Sequence, residues 1–119
     1  MIAIVLPIPP SANHRYRITR GGVVLTDEAR NYARVVQSIC IHQNMLPLKG
    51  ELVITIDVYA RDRRTDTDNY LKSPLDALQG YAYKNDSQIK RICITRHVDK
   101  QNPRLEVAIA PFAPFTKSE

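Results

Sequence analysis

Four segments of the chain show the hydrophobic patterns of β-strands. An unbroken apolar run over 2–6 predicts a buried strand that ends at Pro7, because proline cannot donate a hydrogen bond to a neighbouring strand. Residues 51–60 and 105–110 alternate between an apolar and a more polar face, and 89–98 is a further predicted strand. The side chains predicted to point inward from the two alternating strands are Leu52, Ile54, Ile56, Val58, Leu105, Val107 and Ile109.

A helix is predicted over 27–44. Apolar residues recur there at the three- and four-residue spacing of one helix face. Thr26 fits the N-cap position, and Asp27 and Glu28 follow in the first turn, where the helix dipole favours acids. The side chains on the predicted inner face are Ala29, Tyr32, Ala33, Val36, Ile39 and Cys40.

Leucines at 71, 75 and 78 predict a second helix that ends near Gly80. Pro74 lies inside this helix and leaves two alternatives open. Either the helix kinks at Pro74, or Ser73 caps a new start with Pro74 at the first helical position.

The order of these elements predicts a single domain of the α/β (α+β) class. Residues 11–22 form a polar loop or hairpin between the first strand and the first helix, with 23–25 as its return strand. The rest is a mixed β-sheet with two main helices packed on it, and 119 residues suffice for one core. We expect the domain to span 1–111 and residues 112–119 to be a frayed tail.

The charge balance adds a candidate partner. Lysine and arginine together number seventeen against twelve acids, which gives a net charge of +5. Arginine supplies eleven of the seventeen, and its planar fork suits phosphate oxygens. The basic residues cluster in segments 14–20, 61–64 and 90–104. Two interpretations stand: a solvated basic surface, or a face that binds a polyanion such as nucleic acid.

The sequence also indicates a compartment. No apolar run approaches the roughly 20 residues that span a bilayer, and the apolar start of the chain lacks the basic residues of a secretory signal. We therefore expect a cytoplasmic protein with no membrane contact.

Cys40 and Cys93 lie among apolar residues and are expected to be buried thiols.

The segment after the strand 51–60 carries the residues that suggest chemistry. Asp66 and Asp68 are two positions apart, so in an extended chain both carboxylates point to one side. Such a pair repels itself unless a cation lies between the two groups, and oxygen ligands of this kind suit Mg²⁺ or Mn²⁺. The alternative is structural: Asp68 caps the second helix while Asp66 pairs with an arginine.

Two more charged residues gain meaning only beside such a metal site. Lys72, four residues after Asp68, is either half of a surface ion pair or a cation placed beside a phosphate. Asp86 lies in the turn 84–88, where it is either an ordinary turn residue or a third carboxylate ligand.

Three short blocks of the chain carry a resemblance to a known family. They are Pro9-Pro10-Ser11-Ala12-Asn13 with Arg15 and Tyr16; Asp66-Thr67-Asp68-Asn69-Tyr70-Leu71-Lys72 continuing to Leu75-Asp76-Ala77-Leu78; and Asn85-Asp86-Ser87-Gln88-Ile89. In this order and at this spacing they resemble the RusA family of Holliday-junction resolvases, which are small endonucleases of bacteria and their phages. The resemblance runs over most of the chain, from Leu6 to about Ile109.

The resemblance implies a RusA-like fold and a Mg²⁺-dependent DNA endonuclease that works as a homodimer on branched DNA. It implies that Asp66, Asp68 and Asp86 are the metal ligands and that Lys72 is the lysine needed for cleavage. Asp86 takes this role rather than its neighbour Asn85, and the number of metal ions stays open. The expected reaction is resolution of four-way junctions by paired symmetric nicks, in recombination and repair.

DNA contacts are assigned to arginines of the first two basic segments and to two asparagines in the family blocks. Arg15, Arg17 and Arg20 are expected to contact phosphates because no nearby acid is expected to pair with them. The full set of assigned DNA contacts is Asn13, Arg15, Arg17, Arg20, Arg61, Arg63, Arg64 and Asn69.

The candidates for the dimer interface are the first strand, Phe112 and Phe115.

Two other functions compete with the nuclease. A non-catalytic basic nucleic-acid-binding module explains the arginines, but it leaves three acids that would repel phosphates. In a protein-interaction domain the charges only solvate the surface.

Overall fold

A four-stranded mixed sheet is the centre of the fold. The structure is a computed structural model that describes residues 1–11, 15–64 and 67–113, with the backbone alone for Thr67 and Asp68. In chain order its elements are β1 (Ile2–Leu6), β2 (Tyr16–Thr19), β3 (Gly22–Leu25), α1 (Asp27–His42), β4 (Leu52–Ala60), α2 (Lys72–Leu78), β5 (Ile89–Val98) and β6 (Arg104–Pro111), with short 3₁₀ turns at Thr67–Tyr70 and Asp86–Gln88.

The strands of the sheet lie in the order β1-β6-β4-β5. β4 and β5 are parallel, and β6 runs antiparallel to both β4 and β1. β2 and β3 pair with each other in a separate hairpin, which settles the loop or hairpin expected before α1. The predicted α+β domain with a mixed sheet and two main helices is therefore confirmed.

Both helices cover the same face of the sheet. Alternate residues of β4 are buried, and with Val36 and Cys40 of α1 and Leu78 of α2 they form one apolar cluster. Thr55, which points to the other face of β4, is exposed. All seven inward residues predicted from the two alternating strands are buried: Leu52, Ile54, Ile56, Val58, Leu105, Val107 and Ile109.

The first helix begins as its sequence predicts. The Ala29 N–H donates to Thr26 Oγ1 at 3.2 Å, so Thr26 is the N-cap. Ala29, Tyr32, Val36 and Cys40 are buried on the inner face. The helix ends at His42, two residues before the predicted end.

Two predictions about burial are wrong because they concern strands at the ends of the sheet. In β1 only Ile4 and Leu6 are buried, whereas Val5 is 56% exposed. Cys93 is exposed because it lies beside Thr55 on the uncovered face of β5. An edge strand with one open face needs only alternate apolar residues.

Pro74 lies in the first turn of α2, and neither predicted alternative is right. The helix begins at Lys72 after a 3₁₀ turn, with Leu71 as its N-cap, and the Leu75 N–H donates to Leu71 O at 3.1 Å. The first N–H groups of a helix have no partner within it, so the missing N–H of Pro74 costs nothing there. Ser73 is not a cap but a helical residue.

The far end of the described chain stays attached to the sheet. The Phe112 N–H donates to Glu51 O at 2.8 Å, and the Arg91 guanidinium lies 5.1 Å from the centre of the Phe112 ring. Ordered contacts thus extend past Pro111, and residues 114–119 lie outside the described part. Within the described ranges, no helix combines the length and apolar character needed to cross a membrane.

Candidate active site

The topology brings two of the sequence blocks to one edge of the sheet. β1 and β4 run in the same direction, and Leu105 of β6 pairs with both Leu6 and Val58 near their carboxyl ends. The chain after β1 and the chain after β4 therefore leave the sheet side by side. The first leads to the proline block and Arg15, and the second leads to the segment with Asp66 and Asp68.

The 3₁₀ turn Thr67–Tyr70 fixes the position of the Asp68 backbone. Tyr70 ends this turn and is only 2% exposed, so its ring anchors the turn in the core. Asn69 is half-buried beside it. Asp66 lies outside the described residues, as does the Asp68 side chain, and their predicted roles stay predictions.

Lys72 is the first residue of α2 and is exposed. Its Nζ lies 3.9 Å from Asp76 Oδ2, one helical turn later, and its side chain is 64% exposed. Asp68 lies in the 3₁₀ turn and Lys72 in α2, so the two residues are not on one continuous α-helix, as the alternative of a surface ion pair assumed. The ammonium is open to solvent at the start of the helix that follows the two acids.

Asp86 begins the 3₁₀ turn that leads into β5. Asn85 caps this turn by accepting from Ser87 N–H at 2.9 Å, and the Gln88 side chain accepts from Asn85 N–H at 3.1 Å. The Asn85 side chain is thus used in local structure, whereas the exposed Asp86 carboxylate has no hydrogen bond or ion pair with the described residues. This difference supports the choice of Asp86 over Asn85 as a candidate ligand.

Asp86 and Asp68 leave the parallel pair at opposite edges. Ile89, three residues after Asp86, pairs with Leu52 at the start of β4, whereas Asp68 follows the end of β4. The structure thus places Asp86 at the amino edge of β4 and β5, and α2 connects the two edges.

Tyr83 lies near both Asp76 and Asp86. The Tyr83 hydroxyl donates to Leu75 O of α2 at 2.6 Å. Burial raises the pKa of Tyr83, and the negative charges of Asp76 and Asp86 raise that pKa further. Both carboxylates therefore lie within electrostatic range of one phenol.

Arg15 is not the open phosphate contact that the sequence predicts. Its guanidinium donates to Ser73 Oγ and to Asp76 Oδ2, both at 2.5 Å, and the residue is only 8% exposed. The expectation that no acid lies near it is wrong, because Asp76 is 61 residues away in sequence but adjacent in space. Sequence reasoning missed Asp76, although its place one helical turn after Lys72 was the available signal.

Comparison with known proteins decides the family. A family model described as Endodeoxyribonuclease RusA matches residues 7–110. The chain belongs to the RusA family. It is 36% identical to the crossover junction endodeoxyribonuclease rusA of Enterobacteria phage HK97, over 88% of this chain and 90% of the relative. It is 31% identical to two further relatives of the same description. One, from Escherichia coli (strain K12), matches 90% of this chain and 92% of its own; the other, from Enterobacteria phage 82, matches 89% and 91%.

Membership in the RusA family confirms the predicted enzyme class, an endodeoxyribonuclease, and the resemblance on which that prediction rests. It also explains why the acids of the chain lie beside arginines. A nuclease needs positive charge to hold DNA, and it needs carboxylates where the bond is cut.

The other arginines assigned to DNA in this RusA-family chain are exposed. Arg61, Arg63 and Arg64 follow β4, and Arg96 of β5 joins them by donating to Arg63 O at 3.1 Å. Arg63 and Arg96 line a cavity of about 510 Å³ together with Asp62, His97 and Val98. The second and third basic segments thus meet at the carboxyl edge of β4 and β5.

In the hairpin, Arg17 and Arg20 are exposed. Arg17 does have an acid within electrostatic range, because it lowers the pKa of Asp27, although Arg30 lowers that pKa more strongly through a hydrogen bond. Asn13, the remaining assigned contact, lies outside the described residues.

These exposures predict unequal effects on DNA affinity. Replacing both Arg17 and Arg20 by glutamine should flatten the slope of log K against log salt by up to about 0.9 per lost phosphate contact. Replacing Arg15 by glutamine should leave that slope unchanged, because its guanidinium is already paired. Fluorescence anisotropy on a labelled four-way junction in EDTA, from low to high salt, measures both. Equal slopes for Arg17→Gln/Arg20→Gln and the unaltered chain would remove the hairpin from the DNA-binding surface.

Proposed function

We propose that this chain resolves four-way DNA junctions by paired symmetric nicks in recombination and repair, as a homodimer that uses Mg²⁺. The observation that carries the proposal is the position of the chain between β4 and α2, as described for 61–64 and 67–72. It leaves the sheet at an edge lined with exposed arginines and leads directly to the open ammonium of Lys72. Relatives described as crossover junction endodeoxyribonucleases match this chain over about nine-tenths of its length, which supports a junction as the substrate. A DNA substrate also favours the cytoplasm as the site of action.

The residues fit a divalent cation by the chemistry of their donors. Asp66, Asp68 and Asp86 would hold Mg²⁺, with Mn²⁺ as the alternative, because hard cations prefer carboxylate oxygens. The Asp86 carboxylate is exposed and makes no hydrogen bond with the described residues, as a candidate ligand must. When bound, a divalent cation lowers the pKa of a water molecule and stabilises charge on the phosphate.

The chain itself supplies charge and orientation around the scissile phosphate. The exposed arginines at the carboxyl edge bind the flanking phosphates and orient the DNA strand. The Lys72 ammonium, 64% exposed at the start of α2, lies where it can donate to a phosphate oxygen whose negative charge grows during cleavage. Anchoring of Tyr70 in the core holds Lys72 and the Asp68 backbone in a fixed relation.

A cleavage assay on branched DNA tests the proposal. The chain is incubated with a four-way junction, and with linear duplexes of the same arm sequences, in Mg²⁺ and in EDTA. The proposal expects cutting of the junction alone, in Mg²⁺ alone, with junction binding in both. Binding without cutting in Mg²⁺ would favour the non-catalytic binding module, and neither binding nor cutting would favour the protein-interaction domain.

The role of Asp86 needs its own test because Asp86 precedes β5, whereas Asp68 follows β4 in the chain. Isothermal titration of Mn²⁺ compares Asp68→Asn, Asp86→Asn and the double variant. Shared ligation of one ion predicts that each single variant loses most of the binding and that the double variant loses no more. Additive losses would place the two acids at separate ions.

The homodimer follows from the reaction, because two symmetric nicks need two active sites and a chain of this length carries one Asp-x-Asp segment. Two-fold symmetry of a dimer can match the symmetry of the junction. β1 lies at the end of the sheet with Val5 exposed, which supports the first strand as interface. Phe112 contacts Arg91 within its own chain, and Phe115 lies outside the described residues.

We expect light scattering on the free protein to give twice the mass of the chain. Mixing an excess of Asp68→Asn chains with unaltered chains should then produce junctions with a single nick, because each subunit cuts one strand. Denaturing gels with each strand labelled in turn count the nicks. A monomer at micromolar concentration that makes paired cuts would contradict the dimer.

A further inference from the structure

Arg15 forms a link between the hairpin and α2 that the proposed reaction leaves unexplained. The residue directly precedes β2, and its carbonyl accepts from Thr26 N–H at 2.9 Å, so its backbone is fixed at the base of the hairpin. Its guanidinium crosses to α2 and donates to Ser73 and Asp76. A charged side chain that is only 10% exposed is kept in place by such partners, because an unpaired buried charge is costly.

Asp76 is the acid that two cations share. Arg15 Nη2 lies 2.5 Å from Asp76 Oδ2, whereas Lys72 Nζ lies 3.9 Å from the same oxygen. The nearer contact is a hydrogen bond between charged groups in a partly buried setting, and the farther one is an exposed pair at the limit of an ion pair. Arg15 is therefore the main cationic partner of Asp76, and Lys72 is the weaker one.

We propose that Arg15 is a positioning residue: by holding the Asp76 carboxylate, it keeps the Lys72 ammonium available for a substrate phosphate. The proposal rests on the role of Lys72 in the proposed function. Without Arg15, the 47% exposed Asp76 has no other cation among the described residues than Lys72, one helical turn away. Lys72 would then pair with Asp76, and its positive charge would be neutralised where the phosphate needs it.

A second role for the same contacts would be purely structural, with Arg15 clamping the hairpin onto α2. Second-site rescue separates the two roles. Arg15→Gln should lower the cleavage rate at saturating junction by about 10- to 100-fold, as loss of a supporting contact does in other active sites. Adding Asp76→Asn to Arg15→Gln should restore the rate to within a few-fold, because the competing carboxylate is gone. A clamp predicts no recovery, because the double variant lacks both ends of the link, and absence of recovery would overturn the proposal.

A measurement without DNA keeps this proposal separate from the proposed function. Competitive acetylation of the free protein, read by mass spectrometry, gives the reactivity of Lys72 relative to Lys49. Arg15→Gln should lower this ratio several-fold, because an ammonium held by a carboxylate is less often the free amine. Arg15→Gln/Asp76→Asn should return it to the original value. An unchanged ratio in Arg15→Gln would overturn the proposal whatever the cleavage rate does.

The two readouts assign each failure to its cause. If the Lys72 ratio follows the prediction while cleavage by Arg15→Gln does not fall, Arg15 does control Lys72 and the catalytic role of Lys72 is wrong. Arg104→Gln is the matched control, because this partly buried arginine pairs with Asp99 before β6 and with Glu106 of β6, and neither acid belongs to α2. It should lower stability without changing the Lys72 ratio.

Arg15→Lys covers the case in which Arg15→Gln does not fold. A single ammonium cannot reproduce the fork that contacts Ser73 and Asp76 together. The Lys72 ratio should therefore fall part of the way, and an unchanged ratio in a folded Arg15→Lys protein would overturn the proposal.

Discussion

Asp68→Asn is expected to reduce junction cleavage in Mg²⁺ by a factor on the order of 10²–10³ or more, the size of effect seen when one stabilising group is removed from the centre of an active site. The change replaces the charged side chain of a proposed ligand by a neutral one of nearly the same shape, so metal binding should be lost while the chain still folds. Asp66→Asn should behave in the same way. Binding of the junction in EDTA should be unchanged or slightly tighter, because the variant carries one negative charge fewer to repel the phosphates.

Asp62→Asn is the matched control within the same segment. The Asp62 carboxylate accepts from the Arg64 N–H at 2.9 Å, so its role is to shape the turn after β4. Cleavage by Asp62→Asn should stay close to that of the unaltered chain. Full activity in Asp66→Asn or in Asp68→Asn would remove that residue from the metal site.

The sequence predicts the sheet and the first helix well because local patterns determine them. Strict alternation in β4 and β6 identifies the buried face residue by residue, and Thr26 with the acids after it marks the start of α1. In each of these elements a single apolar stripe must face one core, so periodicity and burial agree.

Local patterns fail where the position of an element in the sheet decides burial. Cys93 lies in an apolar run, yet it is exposed because both helices pack on the opposite face of the sheet. The beginning of α2 fails for a different reason. Tyr70 is buried in the core, and the residues just before α2 form a 3₁₀ turn that ends at Tyr70. The spacing of the leucines does not reveal this turn.

Long-range pairing is the part of the candidate site that the sequence could not predict. Arg15 has no acid within ten residues in sequence, and a phosphate contact was the natural interpretation. Folding brings the base of the hairpin against α2, where Ser73 and Asp76 surround the guanidinium. This contact also concerns the proposed role of Lys72, because the Asp76 carboxylate lies one helical turn from that residue.

Lys72→Ala is the second large effect that we expect. Cleavage at saturating Mg²⁺ and junction should fall by a factor on the order of 10²–10³, since an ammonium placed at a developing negative charge acts mainly in the transition state. Junction affinity should change little, because one exposed lysine contributes a single phosphate contact among many. Single-turnover cleavage and anisotropy in EDTA measure the two quantities separately.

Stability distinguishes a catalytic lysine from a structural one. The ion pair of Lys72 with Asp76 is 3.9 Å long and exposed, and such pairs contribute about 0–1 kcal/mol. The melting temperature of Lys72→Ala should therefore lie within a few degrees of the original, and a sharp fall would mean that Lys72 is structural.

Lys72→Arg should recover the cleavage rate only in part, because a broad planar fork does not occupy the place of a compact ammonium. Lys84→Ala is the control, since it removes an exposed lysine from the turn before Asp86, and its cleavage rate should be unaffected.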